Sequence, residues 1–255
     1  MIDDLDNVTW SWSRVDYTCL ADFYQNYVLK KEQEANNFSN LGTFCHDIVE
    51  KVGKGEITHK EGLEMFKKDF WTVAKRNPIT PTKFWTDPEG SYYKKLLPFF
   101  ERKKWWTGTV VSVEEYVEGT LPSGEKIRGY IDQMFSYRRQ LGMRDFKIAT
   151  PYKGEKLKEK FRQMYLYSYL YHQIHGSYPK KLEFVWFKDK DKPTTVKFDE
   201  KEMWDTIDFV EGRIEKLKKL LIQSKKRKGL FPPIDFNNYF CKEICSFRNN
   251  CAFKQ

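Results

Sequence analysis

The sequence is short of several things, and each shortage excludes something. No apolar run approaches the roughly 20 residues that a membrane-crossing helix needs. The opening stretch Met1-Ile2-Asp3-Asp4-Leu5-Asp6 is acidic and lacks the basic-then-apolar pattern of a secretory leader. A cytoplasmic location is therefore the default expectation, with no membrane among the partners. No Gly-rich loop ending in Lys-Ser or Lys-Thr occurs, so an ATP-driven motor would have to be a separate chain. There is no internal repeat and no long low-complexity linker. At 255 residues, one large domain remains, or one domain with an appendage. Cysteine is scarce, with only Cys19, Cys45, Cys241, Cys245 and Cys251. In a reducing compartment such residues serve as free thiols or metal ligands more often than as disulfides. Three of the five fall within the last fifteen residues, a clustering that points to a metal.

Aromatic and basic residues are plentiful. There are 20 Phe, 15 Tyr and 8 Trp, and the formal net charge is +9. A basic chain suits a polyanionic partner, nucleic acid first; the plainer alternative is a solvated Lys/Glu surface. The lysines at 153–160 and the run Lys225-Lys226-Arg227-Lys228 are candidates for a phosphate-binding rim, with salt-dependent and sequence-tolerant binding. Residues 225–228 also read as a solvated helix end. Trp105 and Trp106 are candidates to stack on unpaired bases, although most aromatics belong in a core.

Periodicity predicts helices first. Residues 13–34 carry Val15, Cys19, Phe23 and Tyr27 on one stripe, with Ser11 or Ser13 as cap. Further helices are expected over 41–52, ending at Gly53, over 59–76, and over 91–104. The character then changes. β-Branched residues predict a strand over 109–117, a turn at Leu121-Pro122-Ser123-Gly124, and strands over 126–135 and 143–149 around a polar loop at 138–142. A helix over 155–175, strands over 182–187 and 194–198, and a charged helix over 199–226 follow. Phe231-Pro232-Pro233 opens a cysteine-bearing tail. This order fits α/β architecture, a mixed sheet flanked by helices.

The chemistry concentrates in two short strands. Asp145 and Lys147 alternate, so they share a face. If this strand pairs with the one holding Gly129-Tyr130-Ile131-Asp132, Asp132 approaches both. Two neighbouring carboxylates repel, which argues for a cation between them. Mg²⁺ takes few protein ligands and keeps several waters, and the Phe146 carbonyl is a further oxygen donor. Lys147 would then orient or deprotonate a water and stabilise pentavalent charge, the needs of phosphodiester hydrolysis. The plainer alternative makes both acids loop-edge residues with surface lysine partners, since Asp-x-Lys alone is common.

Six segments together resemble a known family. Ser13 through Tyr24 resembles an opening helix in which a cysteine precedes an aromatic pair. Leu41-Gly42-Thr43-Phe44-Cys45-His46 resembles a Gly-x-x-x-His helix. Arg128-Gly129-Tyr130-Ile131-Asp132 resembles a Gly-x-Ile-Asp strand, and Asp145-Phe146-Lys147 an Asp-Tyr-Lys strand. Gln163-Met164-Tyr165-Leu166-Tyr167 resembles a Gln-x-x-x-Tyr helix, and Cys241, Cys245 and Cys251 a cluster-binding end. In this order they are similar to RecB/AddB-type nucleases of the PD-(D/E)XK superfamily, the branch with iron–sulfur-bearing CRISPR adaptation and recombination nucleases.

The resemblance implies a restriction-endonuclease-like fold. A single domain over 1–255 would comprise a helical part (1–105), a catalytic sheet core (106–200, with helix 155–175) and a cysteine lobe (229–255) closed by Cys19. His46, Asp132, Asp145 and Phe146 would hold Mg²⁺ or Mn²⁺. Lys147, Asp145 and Asp132 would be catalytic, with Gln163 and Tyr167 contacting substrate or orienting Lys147. Glu114 matches a family acid, with Glu115 and Glu118 as competing registers. Cys19, Cys241, Cys245 and Cys251 would bind a [4Fe–4S] cluster, structural Zn²⁺ being the alternative. The three-residue gap between Cys241 and Cys245 and Ser246 in place of proline depart from the family pattern, and Cys45 is left as a buried helix residue. The implied activity is a metal-dependent DNA exonuclease on single strands or duplex ends, in recombination, repair or adaptation, beside a separate helicase or recombination protein. The alternative is a silent DNA-binding or scaffold protein that keeps the fold.

Overall fold

The structure is a computed structural model that describes residues 8–17, 19–78, 80–81, 86–189, 192–227 and 239–251. The helices of the first half have legible starts and stops. α3 (Asn37–Lys54) begins at Asn36, whose side chain accepts from the Phe38 and Ser39 amides while Ser39 reciprocates. It ends at Gly55 in the left-handed region (φ 75°), two residues beyond the expected stop. Gly53 stays helical because its bare face lies against Val113 and Gln133. α4 (His59–Ala74) opens on a Thr58–Glu61 capping box, and α5 (Pro88–Phe100) on Asp87 with proline in the first turn. Leu41, Cys45, Ile48 and Val49 form the buried stripe of α3.

The expected helix over 13–34 does not run unbroken. Trp10–Ser11 is a short strand, β1, followed by α1 (Trp12–Val15), a break, and α2 (Leu20–Phe23) running into a π-helical turn at Tyr24–Val28. Val15 and Phe23 are buried as the stripe requires. The break is stabilised from elsewhere: the Arg213 guanidinium donates to the Val15 and Tyr17 carbonyls at 3.1 and 2.7 Å. That partner lies some 200 residues away, so local periodicity carries no sign of it.

The sheet is built from β2 (Thr109–Thr120), β3 (Lys126–Tyr137), β4 (Gln140–Lys147), β5 (Lys181–Trp186) and β6 (Thr194–Lys197), with β1 added. β2 pairs antiparallel with β3 along its length. β4 pairs antiparallel with β3 and parallel with β5, and β6 closes the edge. The expected loop at 138–142 is instead a two-residue turn, with Arg138 and Arg139 both left-handed (φ 51° and 63°). One feature of the topology positions the site. β1 pairs with β3 only at Ile127 and Arg128, and β4 only from Gln133 onward. Both use the same edge of β3, so Gly129–Asp132 faces a fork between them.

Helices cover both faces. α3–α5 bury Leu41, Ile48, Phe66, Phe70, Phe99 and Phe100 against Phe146, Val185 and Phe187. On the other face α6 (Gly154–His175) and α7 (Glu200–Arg227) bury Met164, Leu166, Leu170, Ile207 and Val210 against Met143, Leu182 and Phe184. Each fully buried side chain of this kind contributes about 1.5–3 kcal/mol. The C-terminal segment docks on the link before α3. Asn36 donates to the Ile244 carbonyl (2.9 Å), Arg248 donates to the Glu34 and Ala35 carbonyls, and Phe247 is buried. Phe231-Pro232-Pro233 and the basic run Lys225–Lys228, as side chains, lie outside the described residues. Among the described residues no helix is long and apolar enough to cross a membrane.

Candidate active site

The fork in the sheet is where the predicted residues meet. Gln133 pairs with Arg144, so the next pair outward is Asp132 opposite Asp145. The ladder opens there, and the Asp132 side chain takes over: its Oδ2 accepts the Phe146 amide at 2.7 Å. His46, from α3, brings Nδ1 to 3.7 Å from the same oxygen and hydrogen-bonds the Phe146 backbone. Asp145 and Lys147 point the other way from Phe146, as alternation requires. Lys147 Nζ donates to Asp145 Oδ1 (2.9 Å) and Gln163 Oε1 (3.1 Å). Gln163 Nε2 in turn donates to the Tyr167 hydroxyl at 3.3 Å, one α6 turn on. The seven predicted residues thus form two contact groups, His46–Asp132–Phe146 and Asp145–Lys147–Gln163–Tyr167, joined through the β4 backbone and within electrostatic reach of each other.

Burial and like charge set its electrostatics. Burial holds the Asp132 carboxyl well above the ordinary carboxylate value, and Asp145 pushes it further; Lys147 and the Phe146 amide pull back. Burial works to lower the Lys147 ammonium, but Asp145 and Asp132 outweigh it and the net shift is upward. Lys147 is therefore a fixed cation, suited to stabilising developing negative charge. Burial lowers the His46 imidazole, which favours the neutral form that can ligate. Burial takes the Tyr167 phenol up to about 12.

Glu114 joins this cluster. The flanking pairs Val113–Gln133 and Glu115–Ile131 set it opposite Asp132, and it holds a left-handed φ of 50° within a strand. Burial raises its carboxyl, with Glu50 and Asp145 adding to the effect. Glu115 is engaged by His175 and Glu118 by Tyr116, so neither competes for the position.

The donor set has the chemistry of a hard divalent site: carboxylates, a carbonyl and a neutral imidazole. Asp145 Oδ2 is buried and has the Lys147 ammonium at 2.8 Å as its only close partner among the described residues. The spacing is looser than the chemistry. Among the described residues no three His, Cys, Asp or Glu side chains are gathered closely enough to hold a metal ion. The same holds for the thiols. Cys19 lies within electrostatic reach of Cys241 and Cys245, and Cys245 of Cys251, so the two chain ends do meet. Burial raises the Cys19 thiol and takes Cys245 to about 11, and all four are free and partly exposed. They are neighbours without the convergence of a closed cluster. Cys45 is buried in α3, as expected.

Comparison with known proteins supplies the family. The family model of the PD-(D/E)XK nuclease superfamily matches residues 9–252. The chain belongs to the PD-(D/E)XK nuclease superfamily. A crystal structure described as a "putative exonuclease" from Eubacterium rectale matches with a TM-score of 0.53 at 13% identity, covering 93% of this chain and 89% of that one. At that identity the likeness shows the fold alone. A second structure, SSO0001, matches with a TM-score of 0.32 at 14% identity, over 92% and 93% of the two chains, and adds nothing at that score. No curated protein matches the sequence. The superfamily fold accounts for the mixed sheet between helices, with the acids at the fork.

Sequence reasoning missed two supports of this candidate site. Gly129 packs bare against Tyr167, where a Cβ would stand 2.3 Å from the ring. The glycine was visible in the motif, but its partner was not. The second is a polar row across three strands. Buried Arg144 donates to Glu183 (3.1 and 2.8 Å), to Gln133 and to the Thr107 carbonyl, and it lies over the Phe135 ring. Gln133, Arg144 and Glu183 are register partners. This row locks the register that sets Asp132 opposite Asp145. Arg144 stands beside Asp145 and Lys147 in the sequence, so nothing local marked it as buried and paired across strands. Trp105, expected as a base-stacking candidate, is buried at 3% exposure and donates to the Phe100 carbonyl; Trp106 is half-buried on Phe146.

Proposed function

We propose that this chain is a metal-dependent DNA nuclease of the RecB/AddB type, an exonuclease acting on single strands or duplex ends in recombination, repair or adaptation. The observation that carries the reading is the set of contacts around Lys147: its ammonium is held between Asp145 and Gln163, one residue on from the amide that Asp132 anchors. Asp132, Asp145, His46 and the Phe146 carbonyl, with Glu114 added, would hold Mg²⁺ or Mn²⁺, which would supply Lewis-acid charge at the scissile phosphate. The chain's own groups do the rest. Lys147 sets fixed positive charge beside the phosphate, and the Gln163–Tyr167 pair holds that ammonium in place. A neutral His46 keeps the imidazole lone pair available. The lysines at 153–160, at the start of α6, would hold the DNA backbone.

The proposal extends to the thiols: Cys19, Cys241, Cys245 and Cys251 would bind a [4Fe–4S] cluster as a structural clasp, with Zn²⁺ as the alternative. Their electrostatic contact supports it. Visible absorbance with stoichiometric iron is expected from anaerobic preparations; a colourless, zinc-loaded protein would replace iron by zinc. The nuclease reading is tested with end-labelled single- and double-stranded DNA plus Mn²⁺ or Mg²⁺, wild type beside Lys147→Ala. Metal-dependent cutting lost in the variant, with DNA binding kept, is expected. Identical product patterns from both would end the assignment.

A further inference from the structure

Among the described residues, no aromatic side chain is more exposed than Tyr130, at 54%. Its register partner on β2 is Tyr116, 43% exposed. The ring centroids lie 5.2 Å apart, tilted by 58°. Neither ring packs into either core. A scattered exposed apolar residue needs no explanation, but a braced cross-strand pair of rings marks an interaction surface.

Its location narrows the ligand. Tyr130 precedes Asp132 by two residues, about 7 Å along an antiparallel strand. Gly129 faces Tyr167 of α6, so Tyr130 leaves from the opposite face, the side from which His46 reaches Asp132. The Tyr116 hydroxyl donates to Glu118 and is hydrogen-bonded by Arg128, which fixes its ring. Arg128 lies within electrostatic reach of Arg14, so positive charge borders the rings. A flat exposed ring beside cations is the composition of a site for unpaired bases.

We infer that Tyr130, braced by Tyr116, is a stacking platform for an unpaired base of a nucleic-acid strand whose backbone passes Arg128 on its way to the Asp132–Asp145 fork. The ligand class rests on the nuclease reading above; the platform itself rests on the exposed pair. The 7 Å from Tyr130 to Asp132 corresponds to about two stacked nucleotides at 3.4 Å each. The platform therefore favours single strands, because a base inside a duplex has both faces covered by its stacked neighbours.

The test uses the full chain without added divalent cation, so that nothing is cut, and single-stranded oligonucleotides carrying 2-aminopurine near one end. Binding and quenching are followed by fluorescence for wild type, Tyr130→Thr, Tyr116→Thr and Tyr130→Phe. Threonine keeps strand propensity, so folding is retained. We expect affinity to fall about tenfold or more in Tyr130→Thr, with loss of quenching, and to be kept in Tyr130→Phe. Affinity unchanged in Tyr130→Thr overturns the inference. Equal losses in the Thr and Phe variants would assign a hydroxyl contact and also overturn it. So would a changed oligomeric state with unchanged DNA affinity, which marks the pair as a protein contact. Tight, quenched binding by a wild type that cuts nothing with Mn²⁺ would instead sink the nuclease reading and leave the platform standing.

Discussion

Gly129→Ala is the most instructive perturbation of this protein. The added methyl would stand 2.3 Å from Tyr167 Cε1, 2.7 Å from Cζ and 3.0 Å from the hydroxyl. Carbon atoms rest at about 3.5–4.0 Å, so the ring must retreat by over about 1 Å. Tyr167 is 8% exposed, so its ring must move against buried neighbours. Overpacking of this kind costs about 1–3 kcal/mol, against a total stability of order 5–15 kcal/mol, so the variant still folds. Gly129 is not in the left-handed region, so the cost is steric and not conformational. The consequence for chemistry is larger. Tyr167 accepts from Gln163, and Gln163 accepts from Lys147. A shift of about 1 Å carried to the ammonium lowers the cutting rate by about 100-fold. Urea denaturation and Mn²⁺-dependent cleavage should be measured for wild type, Gly129→Ala, Tyr167→Ala and the double variant. Once the ring is gone the methyl has room, so the two changes should couple by about 1–3 kcal/mol in stability. Strictly additive costs would refute the steric argument.

The remaining predictions concern groups that are not themselves metal donors. Arg144→Met leaves Glu183 buried with Lys181 as its remaining ionic partner, at 3.3 Å; chemical denaturation should show a loss of about 3 kcal/mol, at the lower end for a broken buried pair. A loss below about 1 kcal/mol would remove the row from the account of register. Burial takes the Lys188 ammonium down to about 8, with Lys95 adding to the shift. Its folded value lies below its unfolded value, so the unfolded chain binds more protons between about pH 8 and 10.5, and this group makes stability rise with pH there. Lys188→Met should flatten that rise in thermal melts across the same window. An unchanged slope would mean that Lys188 titrates normally.

Element boundaries were legible where caps are local. Thr58 with Glu61 and Asp87 with Pro88 open α4 and α5, and the β-branched run at 109–117 is the body of β2. The broken first helix was not legible, because Arg213 stabilises the break from the other end of the chain. Glu114, Glu115 and Glu118 were indistinguishable by type; pairing with β3 separated them. The thiols at the two chain ends were expected to meet and do lie within electrostatic reach, but the lobe's seat on Glu34–Asn36 was not foreseen.

By itself the sequence determined the ingredients: which residue types stand two apart on a strand or four apart on a helix, because those periods are properties of the local backbone. Only the tertiary structure decided that β1 and β4 share one edge of β3, so that the ladder opens between Asp132 and Asp145. That opening depends on pairings between segments far apart in the chain. It frees the Phe146 amide for the Asp132 carboxylate, and Tyr130 stands exposed two residues before that carboxylate.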